Sequence, residues 1–243
     1  MLKNKVILIT NATHFVGTPG AKVLCAEGAT VYAQDEAFLG EKARAAFEQM
    51  IPGVTALSEQ DPADVIAAII GKEDRLDVLI NNDAYPAIRA SIETADIEDF
   101  RKTLDALMVR GFSFSKFATP HMKTAKKGKI IFVSSAAPKH GLPNYSMYVA
   151  ARGGANALAV SLAKELGKFG IQVNALAPNF VESPTYFPEK LLANEEAMKK
   201  ITKQIPLGRL GKPEEAGDYL AFLSSDKSDF ITGQILYFSG GWA

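Results

Sequence analysis

Lys5-Val6-Ile7-Leu8-Ile9-Thr10, followed at once by Asn11-Ala12-Thr13-His14-Phe15-Val16-Gly17, decides how the chain folds. The first six residues are a β-branched apolar run of the kind that forms a strand buried on both faces. The next seven are a polar turn, and Gly17–Glu27 has the apolar spacing of a helix that Gly28 ends. The same unit recurs along the chain. Strands are predicted at Thr30–Ala33, Gly53–Leu57, Leu76–Asn81, Gly128–Ser134, Ile171–Leu176 and Gly233–Phe238. Helices are predicted at Phe38–Met50, Asp61–Lys72, Ile97–Met122, Ser146–Phe169 and Glu214–Leu223, with Asp61 as N-cap and Pro62 in the first turn. Strands alternating with longer helices imply βαβ units. The fold class is therefore α/β: a single domain over residues 1–243 with a doubly wound, Rossmann-like parallel sheet and helices on both faces.

Ligands in such sheets sit beyond the carboxyl ends of the strands. Asn11–Gly17, Asn81–Ala84, Ser134–Ser135 and Pro178–Phe187 should converge there, with Ser183–Lys190 as a covering loop. At the start of the helix predicted over Ser146–Phe169, Tyr148 and Arg152 stand out. They lie four residues apart, on one helical face. A guanidinium beside a phenol favours phenolate, which a tyrosine needs to serve as a base near neutral pH. Ser135 ends a strand and adds a hydroxyl. Taken singly, the pair also reads as a surface stack and the serine as a turn residue.

Composition excludes other classes. Lys plus Arg and Asp plus Glu are both 27, so no basic excess marks a nucleic-acid binder. No apolar run is long enough to span a membrane, and neither that nor a secretory signal is expected. The single cysteine, Cys25, forbids an intrachain disulfide and reads as a small core residue. A reducing, cytoplasmic setting is the expectation. His14 and His140 have no partner at metal-ligand spacing, so no metal is expected.

From Lys5 to Gly241 the chain resembles the short-chain dehydrogenase/reductase superfamily. Ile130-Ile131-Phe132-Val133-Ser134-Ser135 resembles its strand ending in the catalytic serine, and Tyr148-Val149-Ala150-Ala151-Arg152 stands where that family has Tyr-x-x-x-Lys. Asn81-Asn82-Asp83-Ala84, Val173-Asn174-Ala175-Leu176-Ala177-Pro178-Asn179 and Ile231-Thr232-Gly233-Gln234 resemble three further motifs. The departures agree with one another. In the family's Thr-Gly-x-x-x-Gly-x-Gly loop, Asn11 and Phe15 replace two glycines that let a backbone approach a pyrophosphate, and only Gly17 remains. Arg152 replaces the lysine, Asp105-Ala106-Leu107-Met108-Val109 lacks the usual asparagine, and Ser239 replaces an aspartate. Asp35 stands near the place of a ribose-binding carboxylate, but without the glycines it reads as a surface turn. Together the changes imply that no nicotinamide cofactor is bound.

That set resembles halohydrin dehalogenases, which keep the fold and the Ser-Tyr pair, carry arginine for lysine and replace the nicotinamide site with a halide pocket. Asn82-Asp83, Ser58-Glu59-Gln60-Asp61-Pro62 and Pro178-Asn179-Phe180 also match that family. The resemblance implies cofactor-free closure of vicinal haloalcohols to epoxides, with Tyr148 as base, Ser135 orienting the substrate oxygen and Arg152 lowering the Tyr148 pKa. It implies reverse opening of epoxides by chloride, bromide, azide, cyanide or nitrite. It puts Phe15, Pro178, Asn179 and Phe180 around the anion, held by backbone N–H groups near Asn179 and Phe180. It puts Tyr186, Phe187, Ala137 and Pro138 around the substrate. Asp83 reads equally as a residue that positions Arg152 and as a turn or helix-cap aspartate. A homotetramer built on Ile97–Met122 and Ser146–Phe169 is implied, and the ending Gly240-Gly241-Trp242-Ala243 is expected to stop short of a neighbouring subunit's pocket. The alternatives are a divergent NAD(P)-dependent oxidoreductase and a non-catalytic family member.

Overall fold

The computed structural model describes every residue except Thr185. Strands β1 (Val6–Ile9), β2 (Thr30–Gln34), β3 (Val54–Leu57), β4 (Val78–Asn81), β5 (Gly128–Val133), β6 (Ile171–Pro178) and β7 (Ile235–Phe238) form one sheet in the order β3-β2-β1-β4-β5-β6-β7. Every pairing is parallel. The order reverses between β1 and β4, and the crevice that opens there is where such sheets receive ligands.

Strand side chains alternate between the two faces. On one face Ile7, Ile9, Val31 and Ile131 pack with Leu24 of α1 (Gly17–Ala26), Phe47 of α2 (Glu41–Met50) and Leu220 of a late helix. On the other, Val6, Leu8, Ile130 and Phe132 meet Ile66 and Ile69 of α3 (Pro62–Glu73) and Phe114 of the helix before β5. Both sheet faces are thus covered, which is why the strands read as continuous apolar runs.

The helix predicted over 97–122 is observed as α4 (Ile97–Leu104) and α5 (Arg110–Ala125), joined through a π turn at Asp105–Val109. The turn falls where the expected asparagine is missing. The segment over 38–50 splits at Gly40 into a short 3-10 turn, Glu36–Leu39, and α2. A short α6 (Ala137–His140) precedes α7 (Ser146–Leu166). Two helices not anticipated from sequence, α8 (Glu189–Leu192) and α9 (Glu195–Thr202), follow β6, and α10 (Pro213–Ser224) completes the set. Among the described residues no helix is long and apolar enough to cross a membrane.

Candidate active site

A cavity of about 230 Å³ opens at the carboxyl ends of β5 and β6. Its wall includes Phe15, Ser135, Tyr148, Arg152 and, from the segment after β6, Pro178, Asn179, Phe180, Val181, Tyr186 and Phe187. Three of the four segments expected to meet therefore do so directly. The fourth reaches the cavity through Arg152, whose Nη2 donates to the Asp83 carbonyl at 3.0 Å, while Nη1 donates to the Val133 carbonyl at 2.9 Å. One carbonyl at the end of β5 and one just beyond β4 thus pin the guanidinium, and Arg152 is only 2% exposed. Its carbon lies 5.3 Å from the centre of the Tyr148 ring, one helical turn earlier.

Tyr148 is also buried. Burial alone would push its pKa up. The Arg152 charge, with hydrogen bonds involving Ser135, Arg152 and Tyr186, outweighs that and holds the phenol below its ordinary value. Ser135 Oγ accepts from the Ala137 N–H at 3.1 Å. That leaves its own O–H to donate.

Asp83 bears on Arg152 through its backbone, and no ion pair joins the two side chains among the described residues. Its carboxyl is buried and Oδ1 has no partner among the described residues. Burial pushes its pKa up to about 7, against the pull of Arg152 and Arg110. A Cβ at Gly111 would stand 2.5 Å from Asp83 Oδ2, so that glycine makes room for the carboxyl.

Several expectations are corrected. Ala137 and Pro138 are not part of the cavity wall. Ala137 is buried beneath Tyr148 with Leu107 and Ala151, and Pro138 lies beside Gly153 of α7. The amides of Asn179 and Phe180 are not free for an anion, because they donate to the Phe238 carbonyl and to Asn179 Oδ1, each at 3.0 Å. Among the described residues the Val181 N–H has no partner, and Val181 lines the cavity. Asp35 is not a surface turn. It is 1% exposed and accepts from Thr13 N at 2.8 Å, Thr13 Oγ1 at 2.7 Å and Ala37 N at 3.0 Å.

Sequence reasoning missed Trp242. Its ring meets Phe180 edge to face at 5.7 Å and His140 at 4.7 Å, and its carbonyl lies 3.0 Å from His140 Nε2. An indole distant in sequence thereby supports a ring of the cavity wall.

The superfamily's dinucleotide does not fit these residues. Asn11 and Phe15 keep positive φ, 46° and 45°, so the loop retains the glycine conformation while carrying side chains. Gly17 survives because a Cβ there would stand 2.6 Å from the Ala12 carbonyl. Thr13 occupies the carboxylate that a ribose would need, and Asn82 Nδ2 ties down the loop through the Asn11 and His14 carbonyls at 3.0 and 2.9 Å. Phe15 closes the cavity on that side, its ring edge-on to Tyr186 at 5.7 Å. Among the described residues no group of three His, Cys, Asp or Glu is arranged to hold a metal ion.

A family model described as enoyl-(acyl carrier protein) reductase matches residues 13–243. The 3-oxoacyl-[acyl-carrier-protein] reductase of Thermotoga maritima is 33% identical over 99% of this chain and 98% of its own. The trans-4-hydroxycyclohexanecarboxylate dehydrogenase of Sinomonas cyclohexanicum is 36% identical over 98% and 92%. A solved structure described as a dehalogenation enzyme superposes with a TM-score of 0.97 at 49% identity, covering 100% of both chains. A halohydrin dehalogenase bound to ethyl (2S)-oxiran-2-ylacetate superposes at 0.94 and 36% identity, covering 98% of this chain and 96% of that one. The expected likeness to halohydrin dehalogenases is borne out at the level of structure.

Proposed function

The chain belongs to the short-chain dehydrogenase/reductase superfamily, and from that premise we propose that it is a halohydrin dehalogenase that works without a nicotinamide cofactor. Its substrate is a vicinal haloalcohol. The Tyr148 phenolate, stabilised by Arg152, takes the hydroxyl proton, and the Ser135 O–H donates to the same oxygen and orients it. The oxygen then attacks the neighbouring carbon from the side opposite the halogen. The C–O bond forms as the carbon–halogen bond breaks, and the halide leaves with the bonding pair. Nucleophile and leaving group belong to one molecule, so the site has chiefly to hold the anti conformer and promote ionisation. The departing anion meets the Val181 N–H and the positive edges of the Phe15 and Phe180 rings, a weakly hydrated setting that favours a large soft anion. Run backwards, chloride, bromide, azide, cyanide or nitrite opens the epoxide while Tyr148 returns the proton.

The observation that carries this reading is the conjunction of a buried Ser135–Tyr148–Arg152 set with a nucleotide loop whose polar groups the chain itself has consumed. A homotetramer packed through α4, α5 and α7 is part of the proposal. Val109 and Phe112, 42% and 47% exposed, offer apolar surface for it. The reductase relatives favour a second reading, an NAD(P)-dependent oxidoreductase. Azide opening of an epoxide, followed by loss of epoxide and gain of azidoalcohol, tests the first. Turnover by the wild type and none by Tyr148→Phe is expected. Equal turnover by both rejects Tyr148 as the base, and an absorbance change at 340 nm with an alcohol and NAD(P) supports the second reading.

A further inference from the structure

We infer that Tyr186 is a fourth polar member of this site, a hydrogen-bond donor that keeps the negative charge on Tyr148. The inference rests on the reading of Tyr148 as the base. Tyr186 shares the cavity wall with Ser135, Tyr148 and Arg152. It also lines an adjoining cavity of about 190 Å³, together with His14, Phe15, Ala84, Tyr85 and Pro86. Its side chain is therefore part of the partition between the reaction cavity and the old nucleotide crevice. Two contacts fix it there. Its N–H donates to Ser183 Oγ at 3.2 Å, and its ring stands nearly perpendicular to Phe15 at 88°. Ser183 is itself buried, so the acceptor that holds the Tyr186 N–H lies in the core.

The two phenols and the Arg152 guanidinium share that wall, and the charge of each bears on the ionisation of the others. Two phenols beside one cation share a single negative charge, because the first phenolate repels the second. Their surroundings separate them. Burial pushes Tyr186 up to about 12, and the neighbouring Tyr148 adds to that while Arg152 opposes it. Tyr148 moves the other way. Titratable partners pushed apart take opposite roles, one as proton acceptor and one as donor. The polar groups around the pair are Ser135 from the end of β5, Arg152 from α7, Asn179 after β6, Asp83 and Arg110 beyond Arg152, and His14 and Tyr85 in the adjoining cavity. On the reaction cavity itself, the hydroxyls beside Tyr148 are those of Ser135 and Tyr186. During the reaction Tyr148 takes the substrate proton, Tyr186 keeps its own, and its bond weakens as the charge it stabilises disappears.

Tyr186→Phe keeps the ring and its contact with Phe15 and removes one oxygen. Ultraviolet difference titration without substrate, with Tyr148→Phe to assign the signal, reads the Tyr148 phenolate directly. Its midpoint is expected to rise by about one pH unit, the effect of one hydrogen bond to a charged group. The acid limb of the kcat profile for halide release should rise with it, and kcat at pH 7 should fall about tenfold with KM within about twofold. An unmoved midpoint, or a raised KM with an unmoved acid limb, overturns the inference and leaves Tyr186 as a wall. A shifted midpoint in a protein that releases no halide upholds the tyrosine pair and overturns the dehalogenase reading instead.

Discussion

Two crevices lie along the same edge of the sheet, one at the ends of β1, β2 and β4, the other at the ends of β5 and β6. In the first, the chain has taken up the groups that a dinucleotide would need: Asp35 takes three donors, two from Thr13 and one from Ala37, and the Asn82 Nδ2 clamps the loop it faces. In the second, a phenol, a hydroxyl and a guanidinium are held rigidly, with donor or acceptor capacity still directed at a cavity. Chemistry resides in the second kind of crevice. A group already paired within the chain is structure, whereas a group fixed in place with a free valence is a site.

The largest effect should fall in the second crevice. Tyr148→Phe is expected to lower halide release by about 10³-fold, as loss of a general base does, with an unchanged circular dichroism spectrum. Retention of most of the activity would break the contrast. Asp83, between the two crevices, makes a prediction about pH. Its folded pKa of about 7 lies above the unfolded value, so its burial costs nothing below about pH 4, and the cost grows until about pH 7. Asp83→Asn should therefore gain stability over the wild type as pH rises through that window, by at most about 4 kcal/mol, read by denaturant unfolding at several pH values. A gain that does not vary with pH would contradict it.

In the first crevice, Asp35→Ala should cost about 2 kcal/mol of stability by stranding Thr13 and Ala37 donors, with halide release per folded molecule changed less than about twofold. Matched losses of stability and turnover would show that the crevices are not separate. Phe15→Gly is the smallest and the sharpest test. Glycine relieves about 1 kcal/mol of strain at the positive φ, but gives up the edge-on contact with Tyr186 and the packing of a half-buried ring against the core. A net loss of about 1 kcal/mol is expected, with about tenfold slower halide release because the partition is open. No nicotinamide binding should return by calorimetry, since Asp35 remains bound to Thr13.

The sheet was legible in the sequence because its strands are buried on both faces and its helices exceed ten residues, two signals that local pattern carries. Tyr148 and Arg152 were legible because helical spacing alone puts them together. Asp35 was misread for a physical reason: a carboxylate at a strand end looks the same whether water or Thr13 covers it, and only tertiary structure says which. The Val181 amide has no side-chain signature at all. Trp242 and Phe180 lie 62 residues apart on loops, and nothing local couples them. Helix α9 did carry a cue, Asn194 capping Ala197 N before an acidic first turn, but its apolar stripe, Ala197, Met198 and Ile201, is short and only half-buried.

In the proposed reading, a fold built for a dinucleotide works without one, using the groups it left free. The most direct test of that reading is release of chloride and acid from 1,3-dichloro-2-propanol by purified protein with no nicotinamide present. One chloride and one proton are expected for each epoxide formed, at a rate that added NAD(P)H does not change. No chloride released across chloro- and bromoalcohols, together with oxidation or reduction that requires NAD(P), would contradict it.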